Sequence, residues 1–249
     1  PALGAPNRPW MHFDELRKLS QTIGAQLADF GLGRGDRVAI VLPNGPEMAS
    51  AFVTIAQWCV TAPLNPAYKR DEYAFYMEDL KAKALVVMAD DDGPAVEAAD
   101  KLGIKILRVH SSDASPAGVF SLHASALSSA TAALEAVPAE ADDIALILHT
   151  SGTTSRPKIV PLLHRNLTAS GHHIASSLAL SGADRCLNVM PLFHIHGLVA
   201  AVTASLCAGA SVSCTAGFDA LKFFGLMKEV QPTWYTAVPT MHQAILSRA

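Results

Sequence analysis

The stretch of this 249-residue chain best equipped for chemistry is His149-Thr150-Ser151-Gly152-Thr153-Thr154-Ser155-Arg156-Pro157-Lys158. Hydroxyls and backbone N–H groups packed this densely can wrap phosphate oxygens, and Lys158 adds a point charge. The apolar run Ile144-Ala145-Leu146-Ile147-Leu148 just ahead predicts a buried strand that delivers the loop. This is not a Walker loop. That motif has glycine before its lysine and Ser or Thr after it, whereas Pro157 and Ile159 flank Lys158. A Ser/Thr-rich surface turn is the bland alternative, and the preceding strand and Pro-Lys exit weigh against it. The candidate phosphate ligands are therefore Thr150, Ser151, Gly152, Thr153, Thr154, Ser155 and Lys158.

A second group is His194 and His196, within Met190-Pro191-Leu192-Phe193-His194-Ile195-His196-Gly197-Leu198. In an extended backbone both rings would share a face, and the flanking Pro191 and Gly197 equally allow a loop. A histidine can hydrogen-bond to a carboxylate or pair with it as a cation. The alternative for His196 is a hydrogen-bonded structural role. His164, His172 and His173 invite the idea of a metal-dependent hydrolase, but no HExxH-like spacing is present. Adjacent helical residues point about 100° apart, so His172 and His173 do not share a ligand face, and no metal site is assigned. Trp234 and Tyr235 suit either a pocket edge or the core.

Strands and helices alternate around these groups. Leu16, Leu19, Ile23, Leu27 and Phe30 share one helical face, with Gly31 placed to cap it. The pattern predicts a strand at Val38–Leu42, a turn at Pro43–Pro46 and a mostly buried helix from Glu47 to Val60. Next come an amphipathic helix from Asp71 to Ala82, a strand at Leu85–Met88, a helix at Ala95–Leu102 and a strand at Ile104–Leu107. Residues 111–143 read as a loop with helical pieces. Beyond the phosphate loop the pattern predicts a helix from Arg165 to Leu180, strands at 185–190, 210–214 and 232–236, and helices at 198–208 and 220–230. Such alternation means mostly parallel sheets covered by helices, an α/β fold. The run Gly31-x-Gly33-x-Gly35 follows a helix rather than a strand, so it is a turn, not a dinucleotide fingerprint.

Half the residues are hydrophobic, enough for a sizeable core, and the formal net charge is −3. No basic excess points to nucleic acid. The stretch between Arg185 and Asp219 carries no Asp, Glu, Lys or Arg, but Asn188, Pro191, two histidines, Gly197 and Gly209 interrupt it, so no membrane span is expected. Cys59, Cys186, Cys207 and Cys214 form no C-x-x-C pair and fit a reduced cytoplasm. A peroxisomal address, which would be read at a C-terminus, stays open.

The Thr150–Lys158 loop and the Pro191–Gly197 motif, with Pro232-Thr233-Trp234-Tyr235-Thr236-Ala237-Val238-Pro239-Thr240, resemble the adenylate-forming superfamily of acyl-CoA synthetases, luciferases and peptide-synthetase adenylation domains. Weaker agreement runs from Phe13 through Gly33-Arg34-Gly35-Asp36-Arg37-Val38-Ala39 to Leu64-Asn65-Pro66. The pairing of the first two motifs is most similar to the oxalate–CoA ligase branch. The sequence departs from the family pattern at Ile159, where glycine is usual.

The resemblance implies a layered αβαβα domain. It divides into residues 1–182, carrying the phosphate loop, and residues 183–249, beginning a second α/β subdomain with the acid pocket. It also implies ATP, Mg²⁺ and CoA with a small carboxylic acid, a small dicarboxylate such as oxalate or the acid of another acyl- or aryl-CoA ligase. Lys158 and His194 would act catalytically, and His194 and His196 would contact the acid. A half-length nucleotide-binding module without catalysis is the alternative from another class. The family's later glycine-rich, ribose-binding and catalytic-lysine segments have no match here. The expectation is an N-terminal piece of a ligase roughly twice as long, inactive by itself.

Overall fold

The computed structural model describes residues 1–125, 133–150 and 157–249. Seven strands form the larger sheet, in the order β6-β5-β4-β2-β3-β7-β8. They are β2 (Arg37–Ile40), β3 (Val60–Pro63), β4 (Ala84–Met88), β5 (Lys105–Ser111), β6 (Phe120–Ala124), β7 (Ile144–Thr150) and β8 (Lys158–Leu163). The five inner strands run parallel, and β6 and β8 close the two edges antiparallel. A smaller all-parallel sheet has the order β1-β10-β9-β11, from β1 (Leu3–Gly4), β9 (Arg185–Asn188), β10 (Ser211–Cys214) and β11 (Trp234–Thr236).

Side chains alternate across each strand, and that alternation builds the layers. In and just after β2, Val38, Ile40 and Leu42 enter one core, whereas Ala39 and Val41 enter another. The first core lies between the sheets. It joins α1 (Phe13–Asp29), α2 (Pro46–Ala56), Leu167 of α5 (His164–Ser177) and a π-helix at His196–Thr203 to Cys186 and Val212 of the small sheet. The second packs α3 (Arg70–Leu80) and α4 (Pro94–Leu102) on the outer face of the large sheet. A third, smaller core places Phe223 and Val230 of α7 (Phe223–Val230) and Ile245 of α8 (Pro239–Leu246) beneath Leu187 and Val189. The result is the αβαβα layering expected.

Several elements differ from the sequence reading. The helix predicted to reach Val60 ends at Ala56, and Val60–Pro63 is a central strand. Residues 120–124, read as loop, form an edge strand, and Lys158 opens β8. The predicted 198–208 helix begins at His196, winds as a π-helix to Thr203 and finishes as α6 (Ala204–Cys207). The first residues join the small sheet through β1. Among the described residues no helix is long and apolar enough to cross a membrane.

Candidate active site

The parallel strands β3 and β7 end side by side, and ligands of open α/β sheets gather beyond such carboxyl ends. A cavity of about 380 Å³ lies there. Thr150 of β7 lines it, as do Asn65 beyond β3, Tyr76 of α3, Pro157 ahead of β8, and Phe193 and His194 of the Pro191–Gly197 motif. Two motifs that are far apart in sequence thus share one wall.

The β7–β8 hairpin sets the geometry of the loop ends. Thr150 and Lys158 are direct cross-strand partners, and the Lys158 side chain is exposed to solvent. Ser151, Gly152, Thr153, Thr154 and Ser155 lie outside the described residues. His194 is exposed, with its ring 5.5 Å from that of Phe193 and its N–H donating to the Pro191 carbonyl at 3.3 Å. A Cβ on Gly197 would sit 2.5 Å from the Pro191 oxygen, so only glycine lets the turn close this tightly.

His196 opens the π-helix, is half-buried, and its Nε2 lies 2.6 Å from the Thr236 hydroxyl; it follows His194 and Ile195, which line the cavity, without lining it itself. Burial lowers its pKa, and neighbouring His194 lowers it further. His172 and His173 stand exposed on α5. Among the described residues, no three His, Cys, Asp or Glu side chains converge as metal ligands would.

The structure adds roles that the motifs did not assign. His149 alternates with Ile147 onto the α3 side of β7, a placement its spacing from the apolar run already contained. Its Nε2 lies 3.2 Å from Asp79 Oδ2, and its ring meets Tyr76 edge-on at 4.6 Å. Burial lowers the His149 pKa, while the hydrogen bond and charge of Asp79 oppose that shift. Tyr68 stacks on Tyr76 at 4.8 Å. The Tyr73 hydroxyl donates to the Asn65 carbonyl at 2.9 Å and fixes the turn after β3; burial pushes its pKa up to about 12.

Asn44 joins the two sheets. Its Oδ1 accepts from the Leu192 N–H at 2.7 Å, and its Nδ2 donates to the Thr215 carbonyl at 2.9 Å. Asn188, fully buried, braces the same segment by accepting from the Met190 N–H at 3.1 Å. The Pro43–Pro46 turn therefore positions the His194 motif across the inter-sheet core.

Known proteins share these features. The AMP-binding enzyme family model matches residues 2–249. The oxalate–CoA ligase of Arabidopsis thaliana is 44% identical over 225 residues, covering 89% of this chain and 43% of the relative. The oxalate–CoA ligase of Saccharomyces cerevisiae is 35% identical over 234 residues, covering 86% and 43% respectively. ATP-bound MatB from Rhodopseudomonas palustris superposes with a TM-score of 0.78 at 26% identity, over 97% of this chain and 48% of that one. The chain thus spans less than half the length of each. With the family pattern running from end to end and the αβαβα layers beneath it, the chain belongs to the AMP-binding enzyme family.

Proposed function

We propose that this chain carries part of the active site of an ATP-dependent acid–CoA ligase acting on a small dicarboxylate, oxalate first. The observation that carries the reading is the meeting of Thr150, Pro157 and His194 in one cavity at the ends of β3 and β7. A free carboxylate is a poor acyl donor because its leaving group is too basic. Attack of its oxygen on the α-phosphorus of ATP expels pyrophosphate and leaves an acyl adenylate. The thiol of CoA then attacks the acyl carbon, and AMP departs.

Charge builds on the phosphoryl oxygens in the first step, so donors placed there in advance lower the barrier. The Thr150–Ser155 hydroxyls and amides and Lys158 are assigned to the pyrophosphate end, and His194 to the carboxylate–phosphate junction. Mg²⁺ would arrive with ATP and supply positive charge against the phosphate oxygens. Residues 1–182 supply the phosphate end, and residues 183–249 supply the acid end.

His196 supports the diacid reading. Its half-buried ring follows His194 in the motif and would offer a second carboxylate a partner, and a carboxylate buried without one is costly. Both oxalate–CoA ligases above also favour it.

The test uses the complete protein with ATP, Mg²⁺, CoA and a panel of oxalate, malonate, acetate and hexanoate, following pyrophosphate release and thioester formation. Oxalate or malonate should give the highest kcat/KM. His196→Phe should cost about 1–3 kcal/mol of transition-state binding on the diacid and less on acetate. A wild-type preference for hexanoate overturns the diacid, and no pyrophosphate release with any acid overturns adenylation.

A further inference from the structure

Thr236 of β11 lies in the tail motif, whose aromatic residues drew the functional readings. Its hydroxyl nevertheless makes the 2.6 Å contact to His196 Nε2, from 40 residues away. Both partners are held in place. Thr236 is the register partner of Asn188, which is fully buried and braces Met190. On the other side, Gly197 is pressed against the Pro191 carbonyl, which leaves the backbone next to His196 no slack.

A neutral imidazole carries one N–H and one lone pair, and the bond made at one nitrogen decides which nitrogen holds the proton. With its pKa lowered by burial and by His194, His196 is neutral at pH 7. The Thr236 hydroxyl has no other hydrogen bond among the described residues. If it accepted from Nε2–H, its own proton would have no acceptor among the described residues. Donating to Nε2 removes that cost. The ring proton then sits on Nδ1. That atom also lacks a partner among the described residues, and it is not one of the buried unpaired polar atoms, so it opens onto accessible space.

We propose that Thr236 is a positioning residue that holds His196 in the Nδ1–H tautomer, so that the ring donates a hydrogen bond to the distal carboxylate of the diacid. The inference rests on the ligase reading above. Without the hydroxyl, the ring is free to take the other tautomer, whose Nδ1 lone pair repels a carboxylate oxygen. Thr236 would then select substrates without touching them.

The test pairs a spectrum with kinetics in the complete protein. Thr236→Val keeps the side-chain shape and removes the hydroxyl. With ¹⁵N-labelled histidine, assigned through His196→Phe, wild type should show a protonated Nδ1 and an unprotonated Nε2 at residue 196. Thr236→Val should average the two signals. The same variant should lower kcat/KM for oxalate about tenfold, mostly through KM, and change acetate by less than about twofold, with Thr236→Ser restoring both. A protonated Nε2 in wild type, equal losses on both acids, or failure of Thr236→Ser to restore them overturns the proposal. A wild type indifferent between oxalate and acetate overturns the diacid reading instead, and the spectrum alone then decides whether Thr236 sets the tautomer.

Discussion

Thr150 and Lys158 face each other as the last register pair of the β7–β8 hairpin. Lys158→Ala in the complete protein should weaken ATP use by about 1.5–3 kcal/mol, the worth of a charge-assisted contact. Binding of the acid should change far less. ATP saturation curves at fixed acid check this, and unchanged KM and kcat would remove Lys158 from the phosphate site.

Gly197→Ala should destabilise the fold by about 1–3 kcal/mol, the usual cost of forced overpacking, because the new methyl meets a backbone oxygen that has no room to move. Gly171→Ala is the control. There the methyl meets Thr203 Cγ2 at 2.9 Å and Cys207 Sγ at 3.0 Å, both side-chain atoms. It should cost less. Denaturant unfolding of the two variants ranks them, and equal midpoints would contradict the close approach at Pro191.

Asn44→Ala should cost about 2–3 kcal/mol, since it removes two hydrogen bonds and leaves the Leu192 N–H without its acceptor. Asn44→Asp keeps that acceptor but sets a carboxylate against the Thr215 carbonyl, so it should not recover the loss fully. If Asn44 positions the His194 motif, both variants should also lower turnover at temperatures where they stay folded. Thermal melts run beside single-temperature assays separate the two effects.

His149, His164 and His196 all have pKa values lowered mainly by burial. The unfolded chain takes up protons at the ordinary value of 6.5, and the folded chain resists until lower pH. Their contribution to stability is complete above 6.5 and is lost as pH falls from 6.5 toward the depressed folded values. Asp79→Asn removes the influences that raise the His149 pKa, so that residue should titrate lower still. Unfolding midpoints across pH 5–8, with NMR titration of His149, check both statements. A His149 pKa that rises in Asp79→Asn would contradict the pairing.

The layers were legible because apolar spacing on α1, α3 and α7 and short continuous apolar runs along β2 and β4 reflect burial. β3 was not. Val60-Thr61-Ala62-Pro63 continues the apolar run of α2, and hydrophobicity alone cannot divide a buried helix from a buried strand. β8 was hidden by Pro161, which fits a strand because β8 is an edge. Thr150 and His194 were each singled out by their own motif, whereas Asn44 takes partners 148 and 171 residues away. Local pattern holds no trace of such contacts, nor of the one between Thr236 and His196.

β1 adds a constraint of timing. Leu3 and Gly4 pair with Val212 and Ser213, roughly two hundred residues later in the chain, and closing so long a loop is slow. During synthesis the large sheet can assemble while β1 waits for β10 to leave the ribosome. Until β1 joins it, β10 offers an open edge to any other extended chain.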